Sequence, residues 1–167
     1  MTTSTARVLE TGRDDLLLRE LRGPDAPEYY ALLQANAAHL TRRGDYREQV
    51  AATEQEVAAG FAEIPEVAVA FGLYLDGRLV GRADLVPVDP PRYGLGYWLA
   101  EEVTGRGLAT AAVGRLLRYA REELAATDVY AGVTHGNDPS EALLRRLDFE
   151  IAADFDDYRR WHLSLDH

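Results

Sequence analysis

Gly96-Tyr97-Trp98-Leu99-Ala100-Glu101-Glu102-Val103-Thr104-Gly105-Arg106-Gly107-Leu108-Ala109-Thr110 is the stretch whose reading decides the fold. Its first part is aromatic and apolar and reads as the end of a strand running from Tyr93 to Glu101. After Gly107 the period changes. Leu108, Ala109, Ala112, Val113, Leu116, Leu117, Ala120 and Leu124 form one apolar stripe, with Arg115, Arg118, Arg121 and Glu122 away from it. Between strand and helix, Gly105 and Gly107 let the backbone approach a ligand without a Cβ in the way. Amide N–H groups there meet the positive end of a helix dipole, a setting for phosphate or pyrophosphate, and Arg106 adds a fixed charge. The turn lacks the Lys-Ser/Thr ending of a P-loop and the third glycine of a dinucleotide fingerprint. A turn that only docks a helix on its strand would use the same glycines, so both readings stand on this motif alone.

Outward from this turn the order of elements can be followed in both directions. Residues 1–14 show no periodicity and read as a flexible tail ahead of a single domain over residues 15–167. Leu16 to Leu21 suits a short strand, Pro24 to His39 a helix, and Arg47 to Ala62 a second helix, with Gly44-Asp45 between the two. Val67, Val69, Phe71, Leu73 and Leu75 alternate as a strand does, and Asp76-Gly77 turns the chain into a return strand from Leu79 to Val88. Past the central helix, Asp128 to Thr134 reads as a buried strand, and Asn137 or Asp138 caps a short helix with Pro139 in its first turn. Phe149 to Ala153 and Tyr158 to Leu165 close the chain as two strands. This order predicts an α/β protein with one mixed sheet and helices on both faces.

Bulk composition narrows the partners. The chain has 167 residues, no cysteine and a net charge of −10, and its 18 basic residues are all arginine. Neither a disulfide framework nor a thiolate metal site is available, and no His, Asp and Glu cluster has metal-ligand spacing, so no metal is expected. The acidic balance makes nucleic acid an improbable partner and favours a basic or amine-bearing one. No signal-peptide pattern opens the chain and no apolar run approaches the roughly 20 residues of a membrane span, which predicts a soluble cytoplasmic protein.

Four segments in order resemble the GNAT superfamily of acyl-CoA-dependent N-acyltransferases, in the branch that holds the ribosomal-protein N-terminal acetyltransferases RimJ and RimL. They are Leu18-Arg19-Glu20-Leu21 with Asp25-Ala26, Asn36 and His39-Leu40; Gly96-Tyr97-Trp98-Leu99; Gly105 to Thr110; and Asn137-Asp138-Pro139-Ser140 with Leu144, Leu147 and Phe149. The resemblance covers Leu16 to Leu165 and implies a GNAT-like fold, a mixed, mostly antiparallel sheet flanked by helices. It implies acetyl-CoA as cofactor, held by Leu99, Ala100, Glu101, Thr104, Gly105, Arg106, Gly107, Leu108, Ala109 and Asn137. Ser140 falls where the branch places a hydroxyl beside the thiol sulfur, and Asn137 where an amide meets the pantetheine arm or the acyl carbonyl. Helix capping is the plain alternative for both. Three departures stand out: Glu102 at the usual Gln or Arg of the loop, Asp148 at the usual Gly before Phe149, and Gly94 at a position often held by a glutamate base. The tyrosine acid of other members would fall on Leu144.

The implied reaction moves an acetyl group to a primary amine of a small molecule or protein N-terminus, by direct attack through a tetrahedral intermediate. An alkyl ammonium titrates near 10, so a base must take its proton. Asp84, Glu101, His135 and His39 are candidates, and backbone N–H groups of Leu99 to Glu101 would stabilise the oxyanion. Tyr29, Tyr30, Asn36, His39, Asp84, Tyr93, Tyr97, His135 and Trp161 are candidate liners of an acceptor pocket, with Trp98 beside Tyr97. Other readings are a different donor (another acyl-CoA, an acyl carrier protein or an aminoacyl-tRNA) and a catalytically weak acyl-CoA sensor or interaction module. The resemblance leaves room for a homodimer.

Overall fold

The computed structural model describes residues 6–42, 46–62 and 69–165. Asp76 and Gly77, both at positive φ (49° and 82°), fold β3 (Val69–Leu75) onto β4 (Arg78–Asp89). These strands and β1 (Val8–Glu10), β2 (Leu16–Glu20), β5 (Arg92–Leu99), β6 (Asp128–Thr134), β7 (Glu150–Asp154) and β8 (Tyr158–Ser164) form one sheet in the order β1-β2-β3-β4-β5-β6-β8-β7. Neighbours are antiparallel except β5 and β6, which are parallel. A parallel pair needs a crossover, and α5 (Leu108–Glu123) supplies it.

α5 buries Leu108, Ala112, Val113, Leu116, Leu117, Tyr119 and Ala120 on one side of the sheet. There they join Phe71, Leu85, Tyr93, Val129 and Trp161 from the strands, and Leu143 and Leu144 from α6 (Asp138–Arg146). The other side is covered by α1 (Ala26–Ala35), α2 (Ala37–Thr41), α3 (Arg47–Ala51) and α4 (Glu54–Ala62). A second core of Leu21, Tyr29, Leu33, Val57, Phe61, Tyr74 and Trp98 lies beneath them. β3 is therefore buried on both faces, and its alternating Val69, Phe71 and Leu73 mark only the α5 side.

The mixed, mostly antiparallel sheet agrees with the expectation, and several boundaries do not. Val8–Glu10, read as part of a flexible tail, pairs with β2 in the register Val8↔Arg19, and Leu9 is buried. Three residues are too few to reveal alternation. The first helix divides at Asn36, whose Nδ2 donates to the Leu32 carbonyl at 2.9 Å and ends α1. The second divides at Ala52, which is extended (φ −65°, ψ 144°). Thr53 and Glu56 then start α4 by reciprocal bonds, Glu56 N–H to Thr53 Oγ1 and Thr53 N–H to Glu56 Oε1, each 3.1 Å. β5 stops at Leu99 rather than Glu101 and passes into a 3-10 turn over Glu101–Val103. Gly44-Asp45 and Val67 lie outside the described residues.

Candidate active site

β5 and β6 pair over only Arg92–Gly94 and Asp128–Tyr130, then diverge. The backbone of β5 is consequently open along one edge. Ala100 N–H donates to Val80 C=O at 2.7 Å, and the register sets Leu99 opposite Gly81. Alternate residues of an antiparallel strand turn their polar groups to opposite sides. Leu95, Tyr97 and Leu99 therefore direct N–H and C=O groups into the gap, and the Tyr97 carbonyl accepts from Tyr46 Oη at 2.6 Å. A cavity of about 990 Å³ occupies this divergence, walled by Tyr97, Leu99, Gly105, Val133, Asn137 and Ser140 among others. That is the upper end of the usual size for small-molecule sites.

The loop below the gap has the features a pyrophosphate needs. Gly105 and Gly107 adopt φ of 78° and 77°, a region closed to most side chains. A Cβ at Gly105 would meet nothing within 4 Å, so the loop faces open space. Gly107 is the N-cap of α5 and has no side chain to bond its first N–H groups, and the first turn holds no acidic residue. Within the described residues, none of the N–H groups of residues 105–110 has a backbone acceptor. Uncapped donors at the positive end of a 16-residue helix fit a phosphate group. Thr104, Leu108, Ala109 and Thr110 share the wall. Arg106 does not. Its guanidinium turns back to the Glu102 carbonyl at 3.3 Å and its own carbonyl accepts from Arg13 Nη1 at 3.1 Å. The negative charges beside the loop are met by arginine: Arg78 bonds Glu102 and Arg42 bonds Glu101, both at 2.9 Å. Arg42 holds the Glu101 carboxyl below the ordinary carboxylate range.

Opposite the loop, Asn137 caps α6, its Oδ1 accepting the Ser140 N–H over 3.5 Å. The cap leaves the Ser140 hydroxyl in the cavity wall. Tyr97 faces it from β5. Burial raises the Tyr97 pKa, the Ser140 side chain acts to lower it, and the phenol oxygen makes no hydrogen bond of good geometry. A buried donor without an acceptor is costly and invites a ligand atom.

Several expected site residues have other roles. Ala100 and Glu101 cannot offer N–H groups to an oxyanion: Ala100 N–H goes to Val80, and Glu101 N–H to Asn36 Oδ1 at 2.9 Å. Of that trio only Leu99 turns toward the gap. Asn36 is correspondingly a strut from the end of α1 to the exit of β5, and it lines neither cavity. Tyr29, Tyr93 and Trp161 are core residues at 3%, 3% and 1% exposure, which removes them from the pocket. His135 is tied to the β7–β8 hairpin, with Nε2 2.8 Å from the Phe155 carbonyl and 3.0 Å from Asp154. His39 does line the cavity, with Nδ1 3.6 Å from Glu101 Oε2. Asp84 and Gly94 line a second, smaller cavity bordered by β4, β5, β6 and β8. Sequence reasoning missed Arg42, Tyr46, Gln49 and Arg146 in the large cavity. Arg146 could have been found: with Pro139, Ala142 and Leu143 it follows helical spacing along one face of α6. Tyr46, at φ 61° before α3, carries no such signal.

Residues 15–150 match the family model described as an acetyltransferase (GNAT) domain. Among curated proteins, YdaF of Bacillus subtilis (strain 168), named as a candidate ribosomal N-acetyltransferase, is 39% identical over 80 residues, 47% of this chain. The match spans 44% of that relative's length. Among solved structures, RimL, a ribosomal L7/L12 alpha-N-protein acetyltransferase in complex with coenzyme A, superposes with a TM-score of 0.85 at 18% identity, covering 96% of this chain and 99% of that one. Mycobacterium smegmatis RimJ in complex with CoA-disulfide gives 0.78 at 22% identity, covering 97% and 88%. The structural likenesses carry the fold, and the family match covers most of the sequence. The chain therefore belongs to the acetyltransferase (GNAT) domain family.

Proposed function

We propose that this protein transfers an acetyl group from acetyl-CoA to a primary amine, on a small molecule or a protein N-terminus, with residues 15–167 as one catalytic unit. The observation that carries the reading is the divergence of β5 from β6 between an uncapped helix start and the Asn137–Ser140 cap. Acetyl-CoA supplies the activated thioester. The N–H groups of residues 105–110 would hold its pyrophosphate, and Gly105 and Gly107 keep that approach clear of side chains. Running away from the loop, the open edge of β5 at Leu99, Tyr97 and Leu95 would align the pantetheine amides as an added strand would, with an N–H toward the far end of that run left to polarise the acyl carbonyl. Asn137 orients the turn that presents Ser140, whose hydroxyl is the proton source for the departing sulfur.

The net charge of −10 favours cationic acceptors at long range. RimL is named for ribosomal L7/L12 and YdaF as a candidate ribosomal N-acetyltransferase, so a ribosomal-protein N-terminus in the cytoplasm belongs in the acceptor panel. The test is thiol release from acetyl-CoA and longer acyl-CoAs across primary amines and N-terminal peptides. Saturable release with acetyl-CoA and at least one primary amine is expected. Tight acetyl-CoA binding with no turnover on any amine would overturn the reading in favour of a sensor.

A further inference from the structure

We propose that Asp84 is the base that takes the acceptor's proton, and that the amine reaches it along the glycine-floored face shared by β4, β5 and β6. This rests on the acetyltransferase reading above. The register sets Asp84 directly opposite Gly96, and Val86 opposite Gly94. Residues directly opposite each other project from the same face of a sheet. Gly96 has no side chain there, and the Asp84 carboxylate fills the space: a Cβ on Gly96 would lie 2.5 Å from Asp84 Oδ1. The other oxygen, Oδ2, accepts from Arg82 Nε at 3.2 Å and Nη2 at 3.0 Å. Arg82 is itself held by the Tyr29 hydroxyl at 3.3 Å, so it is a positioning residue. One carboxylate oxygen is thereby anchored and the other is aimed across Gly96.

The space before that oxygen is a cavity of about 360 Å³ bordered by Gly94, Gly96, Gly132, Tyr130 and Arg160, in which Asp84 is the acidic member. It shares Leu95, Gly96, Ala131 and Gly132 with the large cavity. The two cavities thus meet where β5 and β6 part, one holding the loop and Ser140, the other Asp84. An amine entering by the small cavity would arrive between them. Burial pushes the Asp84 carboxyl above its ordinary range although the Arg82 guanidinium and the Gly96 backbone N–H both act to lower it, which suits a group that must take a proton and later release it. The other candidate bases are less well placed: Glu101 is paired with Arg42, His39 lines only the large cavity, and His135 lines neither.

The step balances as follows. The ammonium N–H breaks and its proton passes to Asp84 Oδ1. The freed lone pair forms the N–C bond to the thioester carbon, and the C–S bond breaks with its electron pair going to sulfur. Sulfur takes the Ser140 proton, the second amine proton restores Ser140, and Asp84 returns its own to solvent through the mouth of the small cavity.

The test compares kcat/KM against pH for the wild type, Asp84→Asn and the Asp84→Asn/Gly94→Glu pair, with an amine found in the thiol-release screen. A Cβ at Gly94 would make ordinary contact, 3.6 Å from Val88 Cγ2, so a glutamate fits and its carboxylate can reach the same cavity. Asp84→Asn should lose about 100-fold at neutral pH. Its deficit should shrink toward the amine's own pKa while acetyl-CoA affinity holds, the thermal midpoint falling because Arg82 loses its carboxylate partner, and Gly94→Glu should restore about tenfold. Asp84→Glu, which keeps the charge, covers the case in which the asparagine variant misfolds and should retain the wild-type pH profile. A loss under threefold, a loss independent of pH, or no recovery from Gly94→Glu would overturn the proposal while leaving acetyl transfer intact. A wild type inactive on every amine would overturn both.

Discussion

A carboxylate at the loop measures whether Gly105 faces a phosphate. Gly105→Glu and Gly105→Gln are close in shape, and both force a non-glycine residue to φ 78°. That costs each about 1–2 kcal/mol of stability, or several degrees in thermal midpoint for a chain of this size. Neither clashes, because a Cβ at Gly105 meets nothing within 4 Å. The two therefore differ in charge alone. A glutamate carboxylate about 8 Å from a phosphate charge interacts by about 2 kcal/mol at an effective dielectric of ~20, and by about 0.5 kcal/mol when fully water-screened. The expected penalty is thus near 1.4 kcal/mol, roughly tenfold in the Kd for coenzyme A between the two variants. Titration calorimetry with coenzyme A at about 0.05 M and 1 M salt reads it. The Glu–Gln difference should fall at high salt, where the screening length drops to ~3 Å. Equal Kd values for the two variants, or a gap indifferent to salt, would refute the cradle.

Four further outcomes follow from the same geometry. Ser140→Ala should lower kcat about 10- to 100-fold with unchanged coenzyme A affinity, read by thiol release; full turnover would remove the proton-source role. Asn36→Ala strands the Glu101 N–H and frees the Leu32 carbonyl, so it should cost about 1–3 kcal/mol in chemical denaturation and raise KM through the loosened exit of β5. Leu144, fully buried at 0% exposure, is core: Leu144→Ala should cost about 2–5 kcal/mol. The His162 hydrogen bond, followed by that of Thr127, lowers the Asp128 pKa. A depressed carboxylate contributes stability above its unfolded pKa and loses it as pH falls through the folded value. Stability against pH should therefore drop less steeply in that acid window for Asp128→Asn than for the wild type.

Much of this protein was legible in one dimension because its signals are local. The α5 stripe, the Asp76-Gly77 hairpin, the glycine loop and the Asn137 cap each depend on residues within a few positions of one another. The Thr53-x-x-Glu56 box is equally local, and it divides the single helix expected over Arg47 to Ala62 into α3 and α4. Tyr29, Tyr93 and Trp161 were misplaced as pocket residues for another reason. An aromatic side chain looks the same in sequence whether it meets a ligand or a core.

Tertiary structure alone decided where the site's charges and donors point. Arg78 neutralises Glu102 from 24 positions away, and Asn36 claims the Glu101 N–H from 65 positions away. Asp84 and Gly94 are unremarkable apart, and only the register of β4 on β5 sets a carboxylate over the glycines. Spacing along the chain reports which face of its own element a residue occupies. Pairing register, and the point at which two strands part, arise from contacts between elements, and at this site those contacts determine the chemistry.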